Sequence, residues 1–152
     1  MSASEKLAAL GLALPEVATP VAAYVPAVRT GNYVYTSGQL PFVDGKLQGT
    51  GKVGDSVTVE QAAGFARAAA LNALAAAAQA AGGLDAIKRV VKVVCFVSSA
   101  TDFTGQAQVA NGASELLIDV FGDAGKHARS AVGMAVLPLD TPVEVEIVVE
   151  VL

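Results

Sequence analysis

The chain has 152 residues, a formal net charge of -4, 53% hydrophobic residues and only 16% charged ones. That is one domain of ordinary size with ample material for a core. Its acidic balance argues against a nonspecific nucleic-acid binder, whose affinity would come from Lys and Arg on phosphates. A chain this apolar with no membrane span points to surface hidden in an oligomer.

The lone cysteine, Cys95, excludes an internal disulfide, and its setting in VVKVVCFVSS reads as a buried thiol. With one His and one Cys there is no zinc-ligand spacing, and no metal is expected. The start MSASEKLAALGL lacks the basic and long apolar regions of a secretory signal, so a cytoplasmic location is expected. Arg67, Asn72 and Gln79 interrupt the alanine-rich stretch 66–81, which is too weakly apolar to cross a membrane.

In chain order, Ser2 and Glu5 stand in capping-box spacing before a short helix over 2–10, ended by Gly11 and read as an appendage; residues 1–19 form an N-terminal extension. Two short strands, 23–28 and 33–37, flank the turn RTGN. Asp44-Gly45 signals a hairpin turn beside a short third strand. Gly49, Gly51 and Gly54 spell G-x-G-x-x-G, but no helix opens at once and no acid follows near 70–80. They read as a flexible loop rather than a dinucleotide site.

Thr58 with Gln61 caps a long helix over 59–81, stopped by Gly82-Gly83, with Phe65, Leu71 and Leu74 on its apolar side. The strand 89–99 is apolar on both faces and must be covered on both. Thr101 or Asp102 is expected to cap a second helix over 103–121. Two helices cover one face of such a sheet, and the other calls for a second copy of the chain.

At the C-terminus, Val143, Val145, Ile147, Val149 and Val151 alternate with Glu144, Glu146, Val148 and Glu150, a strand with one buried face. Ser130 to Leu137 is an extended run joined to it by a proline-rich connector, which puts Arg129 within reach of Glu144 or Glu146. Two readings stand side by side: a structural ion pair, or a site where the guanidinium grips a substrate carboxylate while a glutamate handles water.

Three segments, AYVPAVRTGNYVYTSGQLP, VVKVVCFVSSATDF and HARSAVGMAVLPLDTPVEVEIVVEV, together resemble the YjgF/RidA family of reactive intermediate deaminases, in its longer branch, over residues 20–152. The resemblance implies an α+β, chorismate-mutase-like fold: a mixed sheet of about six strands with two helices on one face, assembled as a homotrimer with clefts between subunits. It implies hydrolysis of small 2-imino and 2-enamino acids to 2-keto acids and ammonia without a cofactor; the alternative is a noncatalytic module binding small carboxylates. RNA cleavage, attributed to some relatives, fits poorly with an acidic chain lacking a basic stripe, so neither a nucleic-acid nor a membrane partner is expected.

Carried over by position, Arg129 would pair with the substrate carboxylate and Glu144 would position water. Tyr24, Ser37, Gly38, Asn111 and Ser130 would line the pocket. His127 stands where the family usually has proline and is read as a loop residue, with a ligand contact as the alternative. Ala131 stands where a cysteine is frequent.

Overall fold

The computed structural model describes residues 1–152. Its helices are α1 (Ala3–Ala9), α2 (Val59–Ala81) and α3 (Gln106–Phe121); its strands are β1 (Ala27–Thr30), β2 (Tyr33–Thr36), β3 (Phe42–Val43), β4 (Lys46–Leu47), β5 (Ile87–Ser98), β6 (Ala128–Met134) and β7 (Val143–Val151). Five strands form one mixed sheet in the order β1-β2-β7-β5-β6, and β3 and β4 form a separate hairpin. The short third strand expected from sequence is thus off the main sheet, with Asp44 and Gly45 at positive φ in its turn.

β5 is the centre of this arrangement, antiparallel to β7 on one side and parallel to β6 on the other. The expected β6–β7 hairpin is therefore not formed. The connector turns tightly at Pro138–Asp140, with Leu139 and Asp140 at positive φ, and passes the end of β5, where Ser98 N donates to Pro142 O at 2.8 Å. Chain direction then delivers β7 to the far side of β5. A 12-residue strand that is apolar on both faces gains most by pairing along both edges.

α2 and α3 pack on one face of the sheet. Val90, Val93, Cys95 and Val97 of β5 and the odd-numbered residues of β7 point into that layer and are buried. α2 meets them with alanines at 62, 66, 69, 70, 73 and 77 plus Leu74. Small side chains let the helix lie close, so its core face is broader than the Phe65, Leu71 and Leu74 side expected. The capping box of Thr58 and Gln61 and the left-handed Gly82 stand where sequence placed them.

On the opposite face Val28, Tyr33, Tyr35 and Val132 are exposed, and Val94, Phe96 and Val148 are partly so. Nothing in a single chain covers this surface. No helix is long and apolar enough to cross a membrane.

Three further expectations change. β1 begins at Ala27 rather than 23, because Ser37 ties the preceding segment down by donating from Oγ to Val25 O and from N to Pro26 O. α3 begins at Gln106 with Gly105 as an N-cap that lacks a side-chain bond, so neither Thr101 nor Asp102 caps it. Residues 100–105 form a turn, fastened where Gln106 Nε2 donates to Phe103 O and Ser99 Oγ.

The glycine-rich loop is tied into the body of the chain: Val53 is fully buried, its N donates to Ser98 O, and its carbonyl accepts from Ala100 N. Its glycines seat phenylalanines, for a Cβ on Gly49 would lie 2.7 Å from the Phe65 ring and one on Gly54 2.9 Å from Phe103. α1 docks on the body of the chain through buried Leu7 and through Ser4, whose N and Oγ both donate to the Asp85 carboxylate.

Where α2 crosses α3, a Cβ on Gly112 would lie 1.9 Å from the Ala63 carbonyl oxygen, whereas one on Gly64 would meet nothing. Alanine is ordinarily the better helix residue, so opposite signs are expected. Gly64→Ala should gain about 0.5–1 kcal/mol, and Gly112→Ala should lose about 1–3 kcal/mol through overpacking. Urea unfolding at one protein concentration measures both, and stabilisation by Gly112→Ala would refute the close crossing.

Candidate functional site

β6 pairs with β5 so that Arg129 sits opposite Val93, on the helix side of the sheet. From this edge strand the side chain reaches α3. Nη1 donates to Asn111 Oδ1 at 2.8 Å and to Ser114 Oγ at 3.1 Å, and Nη2 donates to Ala107 O at 3.3 Å. All three acceptors are neutral. The ion pairs of the structure are Arg67–Asp119, Lys88–Glu150 and Lys126–Asp123, and Arg129 belongs to none of them. Its Nε–H makes no bond, so the fork is oriented while part of it remains free.

The expected pairing of Arg129 with Glu144 or Glu146 is accordingly absent. β5 stands between β6 and β7, and Glu144 lies opposite Phe96 on the open face of the sheet. Two strand spacings and a whole sheet face separate the groups.

Glu144 is half-buried and unbonded. Burial, and secondarily the charge of Glu146 two residues along the same face, raise its carboxyl above the usual 4.5. The Gln39–Val145 bridge brings Gly38 beside it, where a Cβ on Gly38 would lie 2.7 Å from the Glu144 carboxyl carbon. Only glycine leaves that carboxylate its place.

Apart from Ser130, the residues named from sequence thus fall into two groups. Gly38 is against Glu144, and Ser37, through Val25 O, anchors the irregular segment that carries Tyr24, a residue 56% exposed. Asn111 is on the Arg129 fork. Ser130 points to the face opposite Arg129 and accepts from Lys92 Nζ at 3.3 Å.

His127, in the loop before β6, makes two side-chain bonds: Nδ1 with Gly125 O at 2.6 Å and Nε2 with Ser114 Oγ at 2.9 Å. Ser114, not singled out from sequence, is the shared partner of Arg129 and His127. Its signal was the spacing N-G-A-S, which sets Asn111 and Ser114 one turn apart on one helix face. A shallow cavity of about 200 Å³ is lined by Ser114, Ile118, Lys126, His127 and Arg129.

The family described as "YjgF/chorismate_mutase-like, putative endoribonuclease" matches residues 4–151. The chain belongs to the YjgF/RidA family. "Protein TCP17" of Trypanosoma cruzi is 47% identical over 142 residues, spanning 93% of this chain and 89% of that protein. A "putative endoribonuclease" from Shewanella oneidensis superposes with a TM-score of 0.95 at 34% identity, over 99% of this chain and all of its own. E. coli TdcF, solved with bound serine, gives a TM-score of 0.62 at 26% identity over 88% of this chain and 92% of its own.

The α+β, chorismate-mutase-like fold expected for a YjgF/RidA protein is therefore the fold of this chain. Cys95, on the helix side near Arg129, is a buried thiol. Burial pushes its thiol up to about 12, against a smaller downward pull from the Arg129 charge.

Glu144 gives the site a pH signature. Its raised carboxyl binds a proton more tightly folded than unfolded. This contribution to stability is full below the unfolded value and is lost as pH rises through the folded one. Glu144→Gln should therefore gain stability over the parent between acid and neutral pH in urea titrations. An unchanged difference across that range would mean that the carboxylate is not desolvated.

Proposed function

We propose that the protein is an enamine/imine deaminase, hydrolysing small 2-imino or 2-enamino acids to 2-keto acids and ammonia in a cleft between copies of the chain. The observation that carries the reading is Arg129. It is a guanidinium with no carboxylate partner in its own subunit, fixed by Asn111, Ser114 and the Ala107 carbonyl with donors to spare. An unpaired, oriented fork favours a carboxylate from outside, where two parallel bonds set both charge and direction. Serine held by TdcF is a small amino acid bearing such a carboxylate.

Glu144 would supply the proton chemistry. Water adds to the imine carbon as Glu144 accepts its proton, giving a carbinolamine; the proton passes to nitrogen, the C–N bond breaks, and ammonia leaves as C=O forms. No oxidation state changes. A raised carboxyl exchanges protons nearer neutral pH than an ordinary glutamate. Arg129 and Glu144 lie on opposite faces of one sheet, so a site using both takes one from each of two subunits. The uncovered apolar face around Tyr35, Phe96 and Val132 supplies a surface for that assembly, and the homotrimer implied by the family resemblance is the proposed form.

Light scattering should give about three times the 15.2 kDa chain mass; a monomer would remove the shared cleft. With an imine generated in place from an amino acid, the protein should speed ammonia release. Arg129→Ala should raise KM roughly ten- to a hundredfold, the worth of a charged hydrogen-bonded contact, while leaving the assembly intact. Stabilisation by 2-keto acids without turnover would favour the noncatalytic carboxylate-binding reading. RNA cleavage that is lost in Glu144→Gln would replace both, against the chain's net charge of -4.

A further inference from the structure

The His127–Ser114–Arg129 chain is not used by the reaction as proposed, and its hydrogens can be assigned. The Gly125 carbonyl can only accept, so His127 Nδ1 carries a proton. In the neutral ring Nε2 is then a lone pair, and the Ser114 hydroxyl donates to it. Ser114 Oγ in turn accepts from Arg129 Nη1. The serine's only hydrogen is thereby turned away from the cavity that Arg129 faces.

Adding a proton to Nε2 reverses the middle bond. His127 becomes a donor on both nitrogens, Ser114 Oγ accepts from His127 and Arg129 through its two lone pairs, and its own hydrogen is released. Ser114 is 8% exposed and cannot hand that hydrogen to bulk water at no cost. An anion seated in the shallow cavity of Ser114, Ile118, Lys126, His127 and Arg129 is the acceptor this hydrogen then faces.

Charge acts in the same direction. The cations and titrating groups facing His127 are Lys126 and Arg129 on this cavity, and Arg89, Lys126, Glu150 and Tyr33 on the adjoining depression. Asp123 is paired with Lys126 and Glu150 with Lys88. A further positive charge at His127 therefore enters a cationic neighbourhood, and a bound anion offsets it.

We propose that His127 is a positioning residue and a proton-linked gate for anion capture at Arg129, acting through the Ser114 hydroxyl. With His127 neutral, Ser114 only holds the guanidinium. With His127 protonated, Ser114 also donates to the bound carboxylate. Proton and carboxylate then bind with mutual reinforcement. This rests on the reading of Arg129 as a carboxylate grip, and adds to it a dependence on pH that Arg129 itself, always charged, does not supply.

The test is calorimetric titration of the full chain with pyruvate at about pH 8 and about pH 5.5, the interval in which imidazole titrates. In the parent protein the Kd should tighten by roughly fivefold or more on acidification. His127→Gln and Ser114→Ala should bind with little change between the two pH values. Burial also raises the Glu144 carboxyl, so the decisive comparison is with the parent: a pH dependence undiminished in His127→Gln overturns the gate.

Pyruvate binding through Arg129 with equal affinity at both pH values overturns the gate and leaves the grip. Failure of the parent to bind, or binding undiminished in Arg129→Ala, overturns the grip and the gate with it. Nitrogen-15 NMR of the chain's one histidine gives a readout without ligand. At about pH 8 the proton should reside on Nδ1, as the gate requires; a proton on Nε2 there overturns the relay.

Discussion

The structure depends on the double pairing of β5. Antiparallel to β7 and parallel to β6, it sets the alternation of both neighbours at once, so Val93 aligns with Arg129 and Ile147 while Phe96 aligns with Val132 and Glu144. Strand alternation has a period of two, and a slip of one residue would exchange every side chain between faces. The fully buried row Val90, Val93, Cys95 and Val97 opposes such a slip. The same register that fills the core sends the guanidinium toward α3 and the carboxylate toward the open face.

Electrostatics follows from that partition. Each group is left without an opposite charge, by different means. Arg129 is solvated by protein dipoles from one helix: an amide oxygen, a hydroxyl and a backbone carbonyl. Glu144 has no such donors, and burial with a like charge nearby disfavours its ionised form. A cation that keeps its charge and an acid inclined to hold its proton are suited to gripping an anion and to moving a proton respectively. Packing serves the same ends, since glycine at 38 leaves room for Glu144 and glycine at 112 lets α3, which carries Asn111 and Ser114, lie against α2.

Local signals in the sequence were reliable where one short-range effect dominates. Thr58 with Gln61 and Gly82 bounded α2 because caps and left-handed glycines act within a turn. The valine–glutamate alternation of β7 was likewise plain. Competing long-range demands defeated the same kind of reading elsewhere. α3 starts later than Asp102 because Phe103 packs against Gly54 in the turn that precedes it, and β1 starts late because Ser37 holds the chain at Val25 and Pro26. The glycine-rich loop read as mobile is tied to the end of β5 by backbone bonds whose partners lie far along the chain.

By itself the sequence determined the element types, the apolar faces, the family resemblance and the candidate pair Arg129 and Glu144, since propensity, periodicity and motif chemistry are carried by residues near one another. It did not determine which strands are neighbours. Two strands adjacent in sequence invited a hairpin, and only the folded chain placed β5 between them, because pairing along both edges of the longest strand outweighs a short connection. From that one decision follow the loss of the expected ion pair, the unpaired guanidinium and the division of the candidate site between two faces. The bond from Ser114 to His127 follows likewise from α3 crossing to the start of β6, since hydrogen bonds between distant segments have no local signature.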